Sequence, residues 1–156
     1  LPSAAAPVCC TGQAGGAIEA GAGVMGAAMM GATAFQKGLG AIPAMSHPVG
    51  AMFNTHHGTT NAVCMPAVLE LNAPVIAERF DRAAGYLGIE GGFDGFCAFV
   101  QGFNDSMGIP RKLSELGVTT DAIPELVKGA LIDPSCGGNP VELTEANLTA
   151  LFEATI

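Results

Sequence analysis

The sequence predicts an all-α helical bundle, and three observations support this prediction. Apolar residues recur at helical spacing wherever a pattern can be read. No segment shows a convincing alternation of period two, which a half-buried strand would require. The length of 156 residues suits one domain. We therefore expect a single helical domain over residues 23–156, without a dinucleotide-binding domain, behind a loosely specified, Gly/Ala-rich segment over residues 1–22.

The first half of the chain predicts three helices. Residues 24–37 are rich in alanine and methionine, and their apolar side chains fall on one stripe. Residues 43–53 and 58–71 are shorter candidates that contain Pro48 and Pro66. Because proline has no amide donor, each of these two residues is expected to interrupt or kink its helix.

The middle of the chain predicts two further helices, separated by glycine. Pro74 suits a first helical turn, and the apolar residues that follow it lie on one face as far as Leu87. Gly91 and Gly92 break the pattern, and a new helix is expected behind them. The apolar stripe of this helix consists of Phe93, Phe96, Val100 and Phe103.

Two polar residues mark the helices predicted near the end of the sequence. Asp121 is expected to cap a helix over 122–132, and Thr144 a helix over 145–155, because both side chains can accept from free first-turn amides. The acidic residues of this region are expected to form a solvated exterior. They are Asp121, Glu125, Asp133, Glu142, Glu145 and Glu153.

Charge is distributed unevenly along the chain. Residues 1–69 contain one acid, Glu19, and one base, Lys37, whereas thirteen acids and five bases follow from Glu70 onward. A segment so poor in charge is expected to be buried, in its own domain or against a partner. The net charge of -8 disfavours binding to nucleic acid. No uninterrupted apolar run of about 18 residues predicts a membrane span.

The cysteines favour a reducing compartment. The five cysteines form neither an even set of pairs nor a Cys-x-x-Cys motif. The first twenty residues lack the basic region of a signal peptide. We therefore expect a cytoplasmic protein with isolated thiols, including the adjacent Cys9 and Cys10.

The three histidines lie within eleven residues, at positions 47, 56 and 57. Histidine is a frequent metal ligand and the usual proton carrier near neutral pH, so the cluster is a candidate site. No pair has the i, i+4 spacing of a two-histidine metal motif on a helix. A structural alternative is equally open, in which His57 satisfies the start of a helix and His47 is hydrogen-bonded in the core.

Several stretches around these histidines resemble one enzyme family. Residues 34–42, 44–51 and 54–62 read AFQKGLGAI, AMSHPVGA and NTHHGTTNA, and residues 133–141 read DPSCGGNPV. On these residues the chain is similar to the C-terminal helical domain of the iron-containing (group III) alcohol dehydrogenases, over about residues 25–156. The resemblance implies the helical part of a dehydroquinate synthase-like fold.

The resemblance implies an NAD(P)-dependent oxidoreductase for CH–OH groups that uses iron or zinc as a Lewis acid. In this family a separate N-terminal domain binds the dinucleotide, and the helical domain supplies an aspartate and three histidines to the metal. His57 matches the last of these ligands. His47 matches a histidine near the nicotinamide that is proposed to relay protons, so it is the candidate catalytic residue. Cofactor-binding residues are not identified.

The other ligand positions of the family hold residues without donor atoms. The resemblance places Gly12 and Gly16 where an aspartate and a histidine are expected, and Pro43 at the remaining histidine. A catalytic metal needs about three protein ligands, so His57 alone is not expected to hold iron or zinc. A replacement set that adds Glu19 to the two matched histidines has a suitable composition, but no spacing fixes its geometry.

These observations lead to three functional hypotheses. The first is an isolated, shortened helical domain of the family that is inactive alone, because the metal ligands and the dinucleotide-binding domain are missing. The second is a residual or split alcohol or aldehyde oxidoreductase that needs a separate dinucleotide-binding partner. The third is a structural or protein-interaction domain that associates, with itself or with another protein, through its apolar N-terminal half.

Overall fold

The computed structural model describes residues 18–35 and 38–156 of the chain. The chain divides into two compact units, Leu1–Gly38 and Leu39–Ile156. Every secondary-structure element within the described residues is helical. The all-α prediction is therefore confirmed.

The first unit contains one described helix, α1, over Ile18–Phe35. The helix predicted over 24–37 is present and begins earlier than expected. Met25 and Met29 are each 74% exposed. Helix α1 is thus not buried within its own unit, in which it is the one described helix, and burial against a partner stays a prediction.

The second unit contains five α-helices and three short 3-10 helices. The α-helices are α2 (Ala41–Phe53), α3 (His57–Leu87), α4 (Gly92–Ser106), α5 (Ile123–Ile132) and α6 (Glu145–Thr155), and the 3-10 helices are Leu113–Leu116, Thr120–Ala122 and Cys136–Gly138. Helix α3 packs against α2, α4 and α6, and α5 packs against α2 and α6. Helix α2 therefore contacts both α3 and α5, and these three helices position the candidate site.

The main core joins α2, the first part of α3, α5, α6 and the turns between them. Its largest fully buried side chains are Phe152, Met45, Leu113, Leu126 and Leu148. Burying a side chain of this size contributes roughly 1.5–3 kcal/mol relative to leaving it exposed. Because Met45 belongs to α2, the core fixes the helix that carries His47.

Helix α3 is continuous over 31 residues although it contains Pro66 and Pro74. The predicted interruption at Pro66 and the predicted helix start at Pro74 are therefore wrong. Proline leaves the carbonyl four residues before it without its usual donor. For Pro66 this carbonyl is that of Ala62, and it accepts from Asn104 Nδ2 at 2.9 Å instead. Helix α2 likewise continues through Pro48.

Among the described helices, α3 is the one that is long and apolar enough to cross a membrane by length and composition, with a mean hydropathy of 1.2 over an 18-residue window. About a third of that window, 33%, is buried within the protein. The helix contains buried Thr60 and Asn72 and packs against three other helices. Buried polar residues and contacts with three helices are features of the central helix of a bundle, which can meet the same criterion.

Helix α4 begins where the glycine pair predicts. Gly92 has a positive φ of 59°, and Asp81 Oδ1 accepts from the free N–H of Phe93 at 2.7 Å. Phe80 of α3 packs edge-on against Phe96, with ring centroids 4.8 Å apart. The predicted phenylalanine stripe therefore contributes to the packing of α4 on α3.

The two predicted N-caps have different outcomes. Thr144 Oγ1 accepts from the N–H of Asn147 at 3.3 Å, and Asn147 Oδ1 accepts from the N–H of Thr144 at 2.8 Å, which forms a capping box. Asp121 does not cap α5, because a 3-10 helix comes first and α5 begins at Ile123 with Pro124 in its first turn. The prediction is confirmed at Thr144 and wrong at Asp121.

Candidate functional site

A sharp reversal between α2 and α3 brings two of the histidines together. Asn54 ends α2 in the left-handed conformation, with φ at 53°, and its N–H donates to the carbonyl of Gly50 at 2.9 Å. The rings of His47 and His57 stack with their centroids 5.3 Å apart and their planes 16° apart. The two residues predicted as catalytic and metal-binding therefore lie side by side.

His47 is anchored by Asp133, the residue that follows α5. The Nδ1 atom of His47 lies 2.7 Å from Asp133 Oδ2, and the N–H of Ser135 donates to Asp133 Oδ1 at 2.8 Å. The side chain of Asp133 is 11% exposed and that of His47 is 44% exposed. Burial raises the pKa of Asp133, but the hydrogen bonds from His47 and Ser135 lower it by more, so this pKa lies below its usual value. An ionised carboxylate thus orients an accessible imidazole.

The contact between His47 and Asp133 depends on a close approach of α2 and α5. The two helices meet at Gly129, where an added Cβ would lie 2.8 Å from Pro48 Cβ. Real side chains do not tolerate that distance, so only glycine permits the approach. Gly129 therefore helps to place Asp133 next to His47.

His57 is hydrogen-bonded at both ring nitrogens. Its Nδ1 lies 3.3 Å from Ser46 Oγ, and the hydroxyl of Ser46 donates to the carbonyl of Pro43 at 3.3 Å. Its Nε2 lies 3.1 Å from Asn61 Nδ2. The other polar atom of the Asn61 side chain, Oδ1, is buried and has no hydrogen-bond partner among the described residues.

The structural alternative for the histidines is wrong in two respects. His56, and not His57, caps α3, because His56 Nδ1 accepts from the N–H of Thr59 at 3.3 Å. His47 is half exposed rather than buried in the core. Asp133 likewise does not belong to the solvated acidic exterior, because it is enclosed beside His47, whereas the other five predicted members are exposed.

Sequence reasoning missed three residues of this site, namely Ser46, Asn61 and Asp133. Asn61 follows His57 by four residues in one helix, and that spacing places both on one face. Asp133 begins the DPSCGGNPV stretch, but it lies 86 residues from His47 and no local spacing connects them. Ser46 meets His57 only through the reversal between α2 and α3. Of the three, only Asn61 could be predicted from local sequence, through its four-residue spacing from His57.

The donor set does not fit a catalytic metal ion within the described residues. In that part of the chain no group of three or more histidine, cysteine, aspartate or glutamate side chains could hold an ion, whereas a catalytic site needs about three protein ligands. Gly12, Gly16, Cys9 and Cys10 lie outside the described residues, as does the side chain of Glu19. The replacement set that includes Glu19 therefore stays a prediction.

Comparison with known proteins supports the sequence resemblance. Residues 13–156 match the Fe-containing alcohol dehydrogenase family, C-terminal. The chain is 37% identical over 142 residues to 4-hydroxybutyrate dehydrogenase from Cupriavidus necator, covering 85% of this chain and 37% of that protein. It is 35% identical over 122 residues to lactaldehyde reductase from Escherichia coli, covering 74% of this chain and 32% of that protein.

Solved structures agree with this comparison. The crystal structure of 1,3-propanediol oxidoreductase is similar with a TM-score of 0.71 and 30% identity, over 76% of this chain and 33% of that chain. An iron-containing alcohol dehydrogenase from Thermococcus thioreducens has a TM-score of 0.67 and 28% identity, over 75% of this chain and 32% of that chain. The chain therefore belongs to the iron-containing alcohol dehydrogenase family and has the fold of its C-terminal helical domain. It spans about one third of the length of these relatives.

Proposed function

We propose that this chain is a helical domain of an iron-type alcohol oxidoreductase that does not hold the catalytic metal by itself and is therefore inactive alone. The observation that carries the proposal is the donor set around His57. This imidazole is the one described donor at a family ligand position, and within the described residues no group of three or more histidine, cysteine, aspartate or glutamate side chains could hold an ion. A catalytic metal needs about three protein ligands.

The other ligand positions of the family add support. By resemblance these positions hold Gly12, Gly16 and Pro43, and none of these residues has a side-chain donor. Pro43 lies in the first turn of α2, and its carbonyl accepts from Ser46. Core residues such as Met45 are buried in the fold of the family, whereas by resemblance the positions that would bind the metal hold residues without side-chain donors.

Metal analysis of the protein, purified with and without oxygen, tests the proposal. We expect less than stoichiometric iron or zinc. We also expect no turnover, with NAD(H) or NADP(H), of 4-hydroxybutyrate, lactaldehyde or 1,3-propanediol, the compounds that name the relatives. Stoichiometric metal that is lost in His57→Ala but kept in the neighbouring variant His56→Ala would contradict the proposal.

A variant with restored donors provides the positive control. The substitutions Gly12→Asp, Gly16→His and Pro43→His together return a donor to each changed position. We expect the triple variant to bind iron or zinc more tightly than the parent chain, and we expect His57→Ala to remove that gain. An unchanged metal affinity in a triple variant with an intact helical circular dichroism spectrum would show that the resemblance misplaces the ligands.

A split oxidoreductase is the second candidate function, and the pair of His47 and Asp133 favours it. An accessible imidazole oriented by an ionised carboxylate is suited to proton transfer. The test mixes this chain with the dinucleotide-binding domain of a relative, iron or zinc, and NADH or NADPH. Turnover that appears only in the mixture and is lost in His47→Ala supports this candidate, and turnover that is the same with and without this chain contradicts it.

Self-association is the partnership that we propose for the first part of the chain. Ile18 and Met25 on α1 are 88% and 74% exposed, and an exposed apolar face of this kind commonly marks a protein–protein contact. The net charge of -8 disfavours nucleic acid as a partner, and we propose no membrane partner. Sedimentation over a range of concentrations tests the proposal, since a monomer at every concentration would contradict it.

A cytoplasmic location is also part of the proposal. The cysteines of the described residues, Cys64, Cys97 and Cys136, are free thiols, and reducing compartments keep thiols in this state. Burial raises the pKa of Cys64 to about 12, so this thiol stays protonated. Fractionation of the source cells tests the location, and recovery outside the cytoplasmic fraction would contradict it.

A further inference from the structure

We propose that the second half of α3 and the whole of α4, residues 74–106, form a helical hairpin that unfolds locally as one unit while the main core stays folded. The candidate site lies outside this hairpin, since His47, His57 and Asp133 belong to α2, the start of α3 and the end of α5. Opening of the hairpin therefore exposes apolar surface without moving the residues of the site.

The hairpin is held by a core of its own. Among the described residues, no member of the main core lies between Leu71 and Ile109. A second, smaller cluster joins α3 to α4, and its buried residues are Leu69, Ile76 and Val100. Val100 is the one buried residue of α4. Because segments with few buried apolar contacts open at a lower free energy than a core, the hairpin is expected to open before the rest of the fold.

The two arms of the hairpin, residues 74–87 and α4, depend on each other. Phe80 of the first arm packs edge-on against Phe93 and Phe96 of the second, with ring centroids 6.0 Å and 4.8 Å apart. An isolated helix of about 15 residues is marginal in water, so neither arm is expected to stay helical without the other. The two arms therefore open together.

Pro74 marks the boundary of the hairpin within α3. Proline lacks the N–H that would pair with the carbonyl four residues earlier, here that of Glu70. Before this missing bond, Asn72 is buried and exchanges two hydrogen bonds with the side chain of Asn139, at 3.0 Å and 2.8 Å. After it, Val75 is exposed. The helix thus changes at Pro74 from a part fixed by the main fold to a part fixed by α4.

Hydrogen bonds between α3 and α4 fall on both sides of this boundary. The N–H of Phe93 donates to Asp81 Oδ1 at 2.7 Å within the hairpin. Asn104 Nδ2 donates at 2.9 Å to the carbonyl of Ala62, which belongs to the first half of α3. Only the bond of Asn104 links the hairpin to a segment that stays folded, so this bond has to break when the hairpin opens.

Amide hydrogen exchange of the full chain at low urea, followed by mass spectrometry, tests the proposal. We expect residues 74–87 and 92–106 to share one opening equilibrium constant, more than about tenfold larger than that of α5 and α6. The amides of α2 should be protected like those of α5. Equal protection of α4 and α5, or different opening constants for the two arms, would overturn the proposal.

Two matched valine truncations, one in each core, identify the unit that opens. Val127 of α5 belongs to the main core, which the closed and the open state share. Val127→Ala should therefore accelerate exchange of the α5 amides by about tenfold and leave that of the α4 amides within about twofold. Val100→Ala removes packing that only the closed state has, so it should accelerate exchange of both arms by about tenfold. Tenfold faster exchange of α4 in Val127→Ala, or unchanged exchange of either arm in Val100→Ala, would overturn the proposal.

Gly102→Ala covers the case in which Val100→Ala does not fold. An added Cβ at Gly102 meets open space, and alanine favours the helix more than glycine does. Although the substitution lies in α4, it should slow exchange of residues 74–87 by about two- to fivefold, because the two arms open together. Unchanged or faster exchange of residues 74–87 in Gly102→Ala would overturn the proposal.

Discussion

Asp133 is a nearly buried carboxylate that accepts from the side chain of His47 and from the backbone N–H of Ser135. Hydrogen bonds to a charged group contribute about 1.5–3 kcal/mol, and the exposure of His47 places its bond at the low end. We expect Asp133→Ala to lower the free energy of unfolding by roughly 2 kcal/mol. Urea unfolding at neutral pH measures this change. The exposed control Asp121→Ala should stay within about 0.5 kcal/mol of the parent, and equal losses in both variants would contradict the prediction.

The lowered pKa of Asp133 gives its contribution to stability a definite pH dependence. Hydrogen bonds hold this pKa below the ordinary value of 3.8, so the folded chain binds the proton less readily than the unfolded chain. The contribution is complete above the ordinary value and is lost as the pH falls through the lower folded value. We expect the stability difference between the parent and Asp133→Asn to shrink as the pH falls below about 4. Urea unfolding at a series of acidic pH values checks this, and a difference that does not shrink there would contradict it.

The residues of the site differ in how far the sequence could predict them. His47 and His57 could be nominated because both belong to a short stretch that resembles a family motif. Asp133 could not be placed, because its contact with His47 depends on the approach of α2 and α5 at Gly129. A contact of this kind is set by tertiary packing, and neither helix periodicity nor motif spacing contains it.

Helix α3 depends on a side chain of another helix at the point where proline removes a backbone donor. Asn104 Nδ2 donates to the carbonyl of Ala62, which Pro66 leaves unpaired. We expect Asn104→Ala to lower the free energy of unfolding by about 1–3 kcal/mol, because a partly buried carbonyl would lose its donor. Urea unfolding measures the loss. Gln101→Ala, which removes only a local bond to Asp105 within α4, is the control and should cost less.

A double-mutant cycle separates this mechanism from a general loss of packing. Pro66→Ala supplies the missing N–H to the carbonyl of Ala62 from within α3. In that background Asn104→Ala should cost clearly less than in the parent chain, with an interaction energy of about 0.5–3 kcal/mol. Equal costs in the two backgrounds would show that Asn104 acts through packing rather than through the carbonyl.

Two helix glycines are expected to respond in opposite directions to alanine. Gly102 in α4 has open space around an added Cβ, so Gly102→Ala should stabilise the fold by about 0.5–1 kcal/mol. At Gly129 the added Cβ would meet Pro48 at 2.8 Å, so Gly129→Ala should destabilise it by roughly 1–3 kcal/mol. Thermal unfolding of both variants tests whether their stabilities change in opposite directions. A stabilised Gly129→Ala would mean that α2 and α5 separate without cost.

Whether a helix boundary could be predicted depends on how far apart in the sequence the residues that determine it lie. The capping box from Thr144 to Asn147 spans four residues, so the local sequence contains it completely. At Pro66 the carbonyl of Ala62 accepts from Asn104, 42 residues away, and no local pattern predicts that contact. Local sequence predicts where helices are favoured. Whether a helix ends at a proline also depends on contacts with residues far away in the sequence.

For the molecule as a whole, the fold and the chemistry of the family depend on different residues. The core is built from buried apolar side chains such as Leu126 and Phe152, and a core tolerates sequence change as long as volume and pattern are kept. A metal site requires particular donors at particular positions. A chain can therefore keep the helical domain of an enzyme family after the donors for its metal have been replaced.

The division into two units leads to a prediction for the whole chain. Both clusters of core residues among the described residues lie within Leu39–Ile156. A shorter chain of residues 39–156 therefore keeps every described core contact. We expect it to unfold cooperatively in urea. If α1 mediates self-association, the shorter chain should sediment as a monomer at concentrations where the full chain does not. Loss of cooperative unfolding would show instead that residues 1–38 complete the core.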